Sequence, residues 1–304
     1  MSGLGRVPRS ARARVAAVVL AVVPPLLTEP VVAVLAAATA TAMRVLRRPG
    51  VALARENLRV VLGADVPPRR LERVLRESLR QYYAHWWSML RMPALGVAGV
   101  SRAVTISGLD HLVPGRAALL VGAHMGRYEW STAALSTAVR DRTGRPLLGV
   151  ARLFDSPVTE AAISTVRAAG GNDDMHWIDP AARARSAGVL VRRLAEGGVV
   201  GVMIDRFSVG ATAEVPMFGR RVVLAASPVA MAARTGAALH PMTCWIDDDG
   251  QVHFDVHPSV EVLHSSVLGE EERCRAALEA VAAAFEKEIG AHPEAWHVTS
   301  EIFR

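Results

Sequence analysis

The spacing of apolar residues changes character twice along the chain. Residues 15–43 are almost wholly apolar, with Glu29 the only charge, and Pro24-Pro25 and Pro30 cut the run in two. Each half is short of the roughly twenty residues needed to span a bilayer as one helix. Residues 44–92 then carry apolar positions at helical spacing: Leu58, Val61 and Leu62, and, after Pro67-Pro68, Leu71, Val74, Leu75 and Leu79. From residue 104 onward short apolar runs alternate with amphipathic stretches. Strands are predicted at 104–106, 117–122, 147–151, 199–204, 238–245 and 252–256, and helices at 129–140, 158–169, 181–196, 228–235 and 270–289. This alternation predicts an α/β fold with a mainly parallel central sheet flanked by helices. The last two strands are expected to pair antiparallel across Asp247-Asp248-Asp249-Gly250. That acidic run reads as a turn, because no ligand follows it at calcium-loop spacing.

The pattern divides the chain into a hydrophobic, helical, membrane-associating segment at 1–43 and a main domain at 44–304. Arg6, Arg9, Arg12 and Arg14 precede the apolar segment. The expectation is a monotopic or re-entrant anchor with its arginines on anionic head groups, at the cytoplasmic face of the plasma membrane. A spanning helix, a cleaved signal peptide and a buried core helix are the alternatives. Tyr82, Tyr83, Trp86 and Trp87 concentrate aromatic residues on one predicted helix, facing the core, a groove or the lipid interface.

Composition adds one unusual feature. Of 35 basic residues only Lys287 is a lysine, so the net charge of +6 is an arginine charge. Such a composition is that of a GC-rich genome of the actinobacterial kind. Guanidinium groups also suit phosphate-bearing partners. No groove-reading motif or zinc knuckle is present, so nucleic acid is not expected as a partner. Cys244 and Cys274 form no disulfide or ligand pattern, and the histidines lie without metal-ligand spacing, so no metal is expected.

The chemistry concentrates where the predicted strand 117–122 stops. There Ala123-His124-Met125-Gly126-Arg127-Tyr128-Glu129 places an imidazole, a glycine and a carboxylate at the start of a helix. In an α/β sheet, ligands gather beyond the carboxyl ends of the strands. His124 lies past one such end and Asp205, after Met203-Ile204, past another. Residues five apart on a continuous helix do not face each other. Glu129 therefore reaches His124 only if the chain turns, which Gly126 allows. A neutral imidazole steadied by a carboxylate suits removal of a proton from a hydroxyl. Asp205 and Glu214 read equally as helix caps or salt-bridge partners, and Arg220-Arg221 as a solvated pair or a phosphate site.

His124-x4-Glu129 resembles the signature of glycerolipid and lysophospholipid acyltransferases. Further elements narrow the resemblance to the bacterial branch that holds the late lipid A acyltransferases and the phosphatidylinositol mannoside acyltransferases. Arg55-Glu56-Asn57-Leu58 is similar to its early helical element. Arg152-Leu153-Phe154-Asp155-Ser156-Pro157, with Arg167 further on, resembles a second element. Met203-Ile204-Asp205-Arg206 leading to Glu214-Val215-Pro216-Met217-Phe218-Gly219-Arg220 resembles a third. Pro228-x-x-Met231-Ala232-x-x-Thr235-Gly236-Ala237-x-x-x-Pro241 and Pro293-Glu294-Ala295-Trp296 complete the order. Arg127-Tyr128, Ser156 and Ser208-Val209 depart from the branch's usual residues.

The resemblance implies an acyltransferase domain in which His124 is the general base. Glu129 is then its orienting partner or an acceptor contact, and Asp205 or Glu214 could instead be the true partner. Arg152, Arg167, Arg206 and Arg220 are expected to contact donor or acceptor, and Arg127 adds a cation suited to a phosphorylated acceptor. The implied reaction is direct transfer of a long acyl chain from a thioester, on coenzyme A or acyl carrier protein, to a hydroxyl. It uses no cofactor or acyl-enzyme, and no Gly-x-Ser-x-Gly nucleophile motif is present. A phosphatidylinositol mannoside-type glycolipid is the first acceptor expected. Another glycolipid or a secondary metabolite is second, and lipid A third. A non-catalytic, membrane-docked lipid-binding protein is the rival from another class.

Overall fold

The computed structural model describes residues 26–152, 156–178, 183–206 and 210–304. The N-terminal arginines and the first half of the apolar run lie outside the described residues, as do Leu153-Phe154-Asp155 and Ser208-Val209. Four helices come first: α1 (Glu29–Val45), α2 (Pro49–Leu62), α3 (Pro68–Met89) and α4 (Met92–Arg102). Each has a proline in its first two positions, where a fixed φ is pre-set for a helix and the missing N–H costs nothing. Leu71, Leu75 and Leu79 on α3 pack with Val51, Ala54 and Leu58 of α2 and with Ala40 of α1. Further along α3, Ala84, Tyr83 and Trp87 cover Leu27, Val32 and Ala36, and the Trp87 indole donates to Thr39 Oγ1 at 3.2 Å. The opposite side of α1 leaves Val31, Val34 and Val45 exposed. Helices α1 and α2 meet at 96°, and no single helix among the described residues is long and apolar enough to cross a membrane.

The rest is an α/β sandwich around a seven-stranded sheet. Its strands are β1 (Val104–Ser107), β2 (Ala118–Gly122), β3 (Leu148–Arg152), β4 (Met175–Ile178), β5 (Val199–Met203), β8 (Ala238–Ile246) and β9 (Val252–Val256), in the order β1-β9-β8-β2-β5-β3-β4. Strands β8, β2, β5, β3 and β4 run parallel. The tight turn after β8 sends β9 back antiparallel, and β1 follows β9. Every residue of β2 is buried, as expected for a central strand covered on both faces. The intervening helices are α5 (Tyr128–Thr143), α6 (Pro157–Gly170), α7 (Arg183–Ala195), α8 (Ser227–Thr235) and α9 (Glu270–Ala291).

Three elements differ from the expectation. Strand β4 was not foreseen; it is only four residues long, partly exposed at the sheet edge, and His176 breaks its apolar run. The hairpin β6 (Thr212–Met217) and β7 (Arg220–Ala225) forms a separate two-stranded sheet. It turns at Phe218-Gly219 with both φ angles positive, and Phe218 stands where Asn or Asp would have signalled such a turn. Helix α4 contains Gly96 in an extended left-handed conformation, which breaks the periodicity that would have announced it.

Buried polar contacts tie the helical layer to the C-terminal segment. The Asn57 side chain on α2 donates to the carbonyls of Val298 and Ser300 at 3.1 and 2.9 Å. Ser78 on α3 donates to the Trp296 carbonyl. Asn57→Ala should therefore cost about 2 kcal/mol of stability, measured by urea unfolding, because buried carbonyls lose their donor. A change below about 0.5 kcal/mol would match an ordinary surface substitution and count against this role.

Candidate active site

Strand register brings the chemistry together. In the parallel pair β2/β5, Gly122 lies opposite Met203. Two residues beyond each strand end, His124 and Asp205 meet. His124 Nδ1 lies 2.5 Å from Asp205 Oδ1. The His124 backbone N–H donates to Oδ2 at 2.9 Å, and the Trp296 indole donates to the same oxygen at 3.0 Å. Burial pushes the Asp205 carboxyl up, but the His124 charge and its hydrogen bonds, with Arg206, outweigh that and hold it below the usual carboxylate range. An ionised carboxylate only accepts, so Nδ1 carries a proton toward Asp205, and in a neutral ring this leaves the lone pair on Nε2. The His124 side chain is 17% exposed while that of Asp205 is 2% exposed: the base is reachable and its partner is not.

The turn after His124 requires glycine. Gly126 has φ +54°, and a Cβ there would lie 2.7 Å from Cys244 Sγ and 3.0 Å from its carbonyl oxygen. The Gly126 N–H donates to the Ala295 carbonyl, and the His297 N–H to the His124 carbonyl, both at 2.8 Å. His297 Nε2–H donates to the Gly126 carbonyl at 3.0 Å. Tyr128 meets the His124 ring edge-on at 5.1 Å, and His85 stacks on Tyr128 at 4.1 Å. Burial, reinforced by neighbouring cationic groups, holds His85 and His297 well below the usual imidazole value. Both are therefore neutral.

The expected residues separate into two groups. His124, Glu129, Arg167 and Arg206 line one cavity of about 660 Å³, within the size range of small-molecule sites. It lies between the sheet and helices α7 and α8, with Leu147, Met175, Ile178, Leu190 and Met203 among its apolar walls and Trp86 at one side. The Glu129 carboxylate does not bond to His124. It makes a buried two-point ion pair with Arg167, through Nε at 2.8 Å and through Nη2. This corrects the spacing argument, because Arg167 offers Glu129 a fork that a single imidazole nitrogen cannot match. Arg167 Nη1 and Arg206 Nη2 are buried without a hydrogen-bond partner.

Glu214 and Arg220 belong to the hairpin. Glu214 pairs with Arg221 and Arg304, and Arg220 is exposed in the turn-facing pair with Met217. Arg127 is nearly buried and bonds to Glu29. Arg152 closes β3. Three contributors carried no assigned role in the sequence reading: Trp296, within the closing Pro-Glu-x-Trp element, the neutral pair His85 and His297, and Arg234, which stands at the cavity wall on α8. Only Trp296 was signalled, by its motif. Among the described residues no three His, Cys, Asp or Glu side chains could hold a metal ion.

The buried histidines set an acid limit on stability. In the unfolded chain both titrate near the ordinary value of about 6.5. The folded values lie lower, so between the two the unfolded state binds more protons. Stability should be complete above about pH 6.5 and fall as pH drops toward the folded values. His85→Phe, which retains the stack on Tyr128, should flatten the dependence of Tm on pH between 7.5 and 5.5. An unchanged slope would show that His85 charges inside the fold.

Residues 5–304 match the family described as bacterial lipid A biosynthesis acyltransferase. Relatives include a phosphatidylinositol mannoside acyltransferase of Mycobacterium tuberculosis, 29% identical over 251 residues, covering 80% of this chain and 74% of that protein. One from Mycolicibacterium smegmatis is 26% identical over 257 residues, covering 80% and 76%. Among solved structures, the 1-acyl-sn-glycerophosphate (LPA) acyltransferase of Thermotoga maritima aligns with a TM-score of 0.40 and 15% identity, over 82% of this chain and 99% of that one. The match across nearly the whole length shows that this chain belongs to the bacterial lipid A biosynthesis acyltransferase family and is an acyltransferase.

Proposed function

We propose that this acyltransferase moves a long acyl chain from a thioester directly to a hydroxyl of a phosphatidylinositol mannoside-type glycolipid, with His124 as general base. The observation that carries this reading is the His124 ring, with Nδ1 taken by a buried carboxylate, in the lining of a mainly apolar cavity. Nε2 removes the hydroxyl proton as the oxygen attacks the thioester carbonyl. The imidazolium so formed is stabilised by Asp205. Collapse of the tetrahedral adduct breaks the C–S bond, and the thiolate takes the proton from Nε2. The free N–H groups of Arg167 and Arg206 are suited to the oxyanion or to donor phosphate, a contribution of about 2 to 4 kcal/mol for a well-placed donor. The apolar walls suit an acyl chain, delivered by coenzyme A or acyl carrier protein. Direct transfer is supported by the cysteines: burial pushes the Cys244 thiol up to about 12, so no thiolate stands ready near the turn. The acceptor follows the substrates named for the relatives in the two mycobacteria.

The same reading places the enzyme peripherally on an anionic membrane. Its support is the uncharged outer side of α1, with Val31, Val34 and Val45 exposed, next to Arg44, Arg47 and Arg48. An apolar face flanked by arginines is the pattern of an interfacial helix.

His124→Ala should lower transfer at least about a hundredfold. Asp205→Asn should come close to that loss while Glu214→Gln stays near wild type, measured by mass spectrometry of the acylated glycolipid. Retention of more than a tenth of the activity by His124→Ala would sink the general-base assignment. For the membrane, Val34→Asp combined with Val45→Asp should reduce co-sedimentation with anionic vesicles several-fold at unchanged Tm. Undiminished binding would count against α1 as the contact surface.

A further inference from the structure

Arg127 stands where the family pattern has a different residue, between Gly126 and the first turn of α5, three positions after His124. Its side chain is nearly buried and reaches neither the cavity nor His124. It donates from Nη1 and Nη2 to the two carboxylate oxygens of Glu29, at 3.0 and 2.9 Å. Arg91, just after α3, also pairs with Glu29. Both guanidinium groups sit over the face of the buried Trp130, at 5.1 Å for Arg127 and 5.7 Å for Arg91. Glu29 is the only carboxylate paired with either arginine among the described residues. Although the Glu29 side chain is half exposed, these partners and its place in the first turn of α1 keep it ionised.

The arrangement is asymmetric in sequence. One carboxylate on the first described helix supplies the counter-charge for two cations that flank the turn bearing the proposed base. Without it, a nearly buried guanidinium would face a second cation over the same indole. Arg127 would then move toward water and take its backbone with it. That backbone runs directly into Tyr128, whose ring edge packs on His124.

We propose that Glu29 is a positioning residue for acyl transfer: by seating α1 against Arg127 and Arg91 it fixes the turn from His124 to Tyr128, and so the direction of the His124 ring. The proposal rests on His124 being the general base.

The test uses the full-length protein with a long-chain acyl thioester and glycolipid acceptor, and reads kcat, KM and Tm. Glu29→Gln should lower kcat roughly tenfold or more, since small displacements of a reacting group have effects of that order. KM for both substrates should hold, and Tm should fall because Arg127 loses its counter-charge, so kcat is read at a temperature well below the lowered Tm. Glu29→Asp, which keeps a carboxylate for both Arg127 and Arg91, should retain kcat several-fold above Glu29→Gln. An unchanged kcat in Glu29→Gln, or a kcat in Glu29→Asp no higher than in Glu29→Gln, would overturn the proposal. His124→Ala in the same assay separates the two ideas. Activity retained there removes the underlying base assignment, whereas an inactive His124→Ala beside a fully active Glu29→Gln removes only the role of Glu29.

Discussion

A carboxylate that has been taken out of water must be satisfied completely, and Asp205 is such a group. Desolvating one ion costs several kcal/mol unless good hydrogen bonds and opposite charge offset it. Asp205 meets that demand with three donors: two from His124 and one from Trp296. These lie 81 and 91 residues away along the chain. The electrostatic requirement thus becomes a geometric one. The carboxylate is tolerable only when the end of β5, the turn after β2 and the C-terminal segment are in register together. Asn57 and Ser78 extend the same logic into the helical layer, since each holds the backbone that carries Trp296.

Around this dyad the charges are sorted rather than spread. His85 and His297 are neutral packing groups behind the turn, joined to it by stacking and by a bond to the Gly126 carbonyl. The second buried ion pair, Glu129 with Arg167, faces the cavity and leaves one guanidinium nitrogen unengaged. In the proposed reaction the two carboxylates near His124 therefore have separate tasks. Asp205 sets the ring and its tautomer, and Glu129 holds an arginine in position. The two tasks fall to different acids because Glu129 lies against Arg167 while Asp205 lies against His124.

Much of the α/β plan could be read from the chain because it depends on local rules. The apolar runs gave β1, β2, β3, β5, β8 and β9, the crossover helices followed from their length, and the acidic turn after β8 foretold the antiparallel partner. The placement of His124 and Asp205 beyond strand ends was likewise accessible, since parallel strands end at one edge. What could not be read depends on contacts between distant segments. The spacing of His124 and Glu129 suggests a pair, but Arg167, 38 residues from Glu129, competes for that carboxylate and takes it. Trp296 was visible as part of a motif but not as a donor to Asp205. Arg127 looked like a substrate contact because nothing in its own neighbourhood shows that Glu29 returns to it across 98 residues.

The contacts made by residues 295–298 bear on when the enzyme first becomes competent. The carbonyl of Ala295, the indole of Trp296 and the amide of His297 all hold the turn around His124. During synthesis, a chain still attached to the ribosome with these residues inside the exit tunnel has its strands and its imidazole but no clamp on them. Productive alignment is thereby postponed until the closing segment has emerged and docked. A half-made chain has the imidazole without the contacts that orient it.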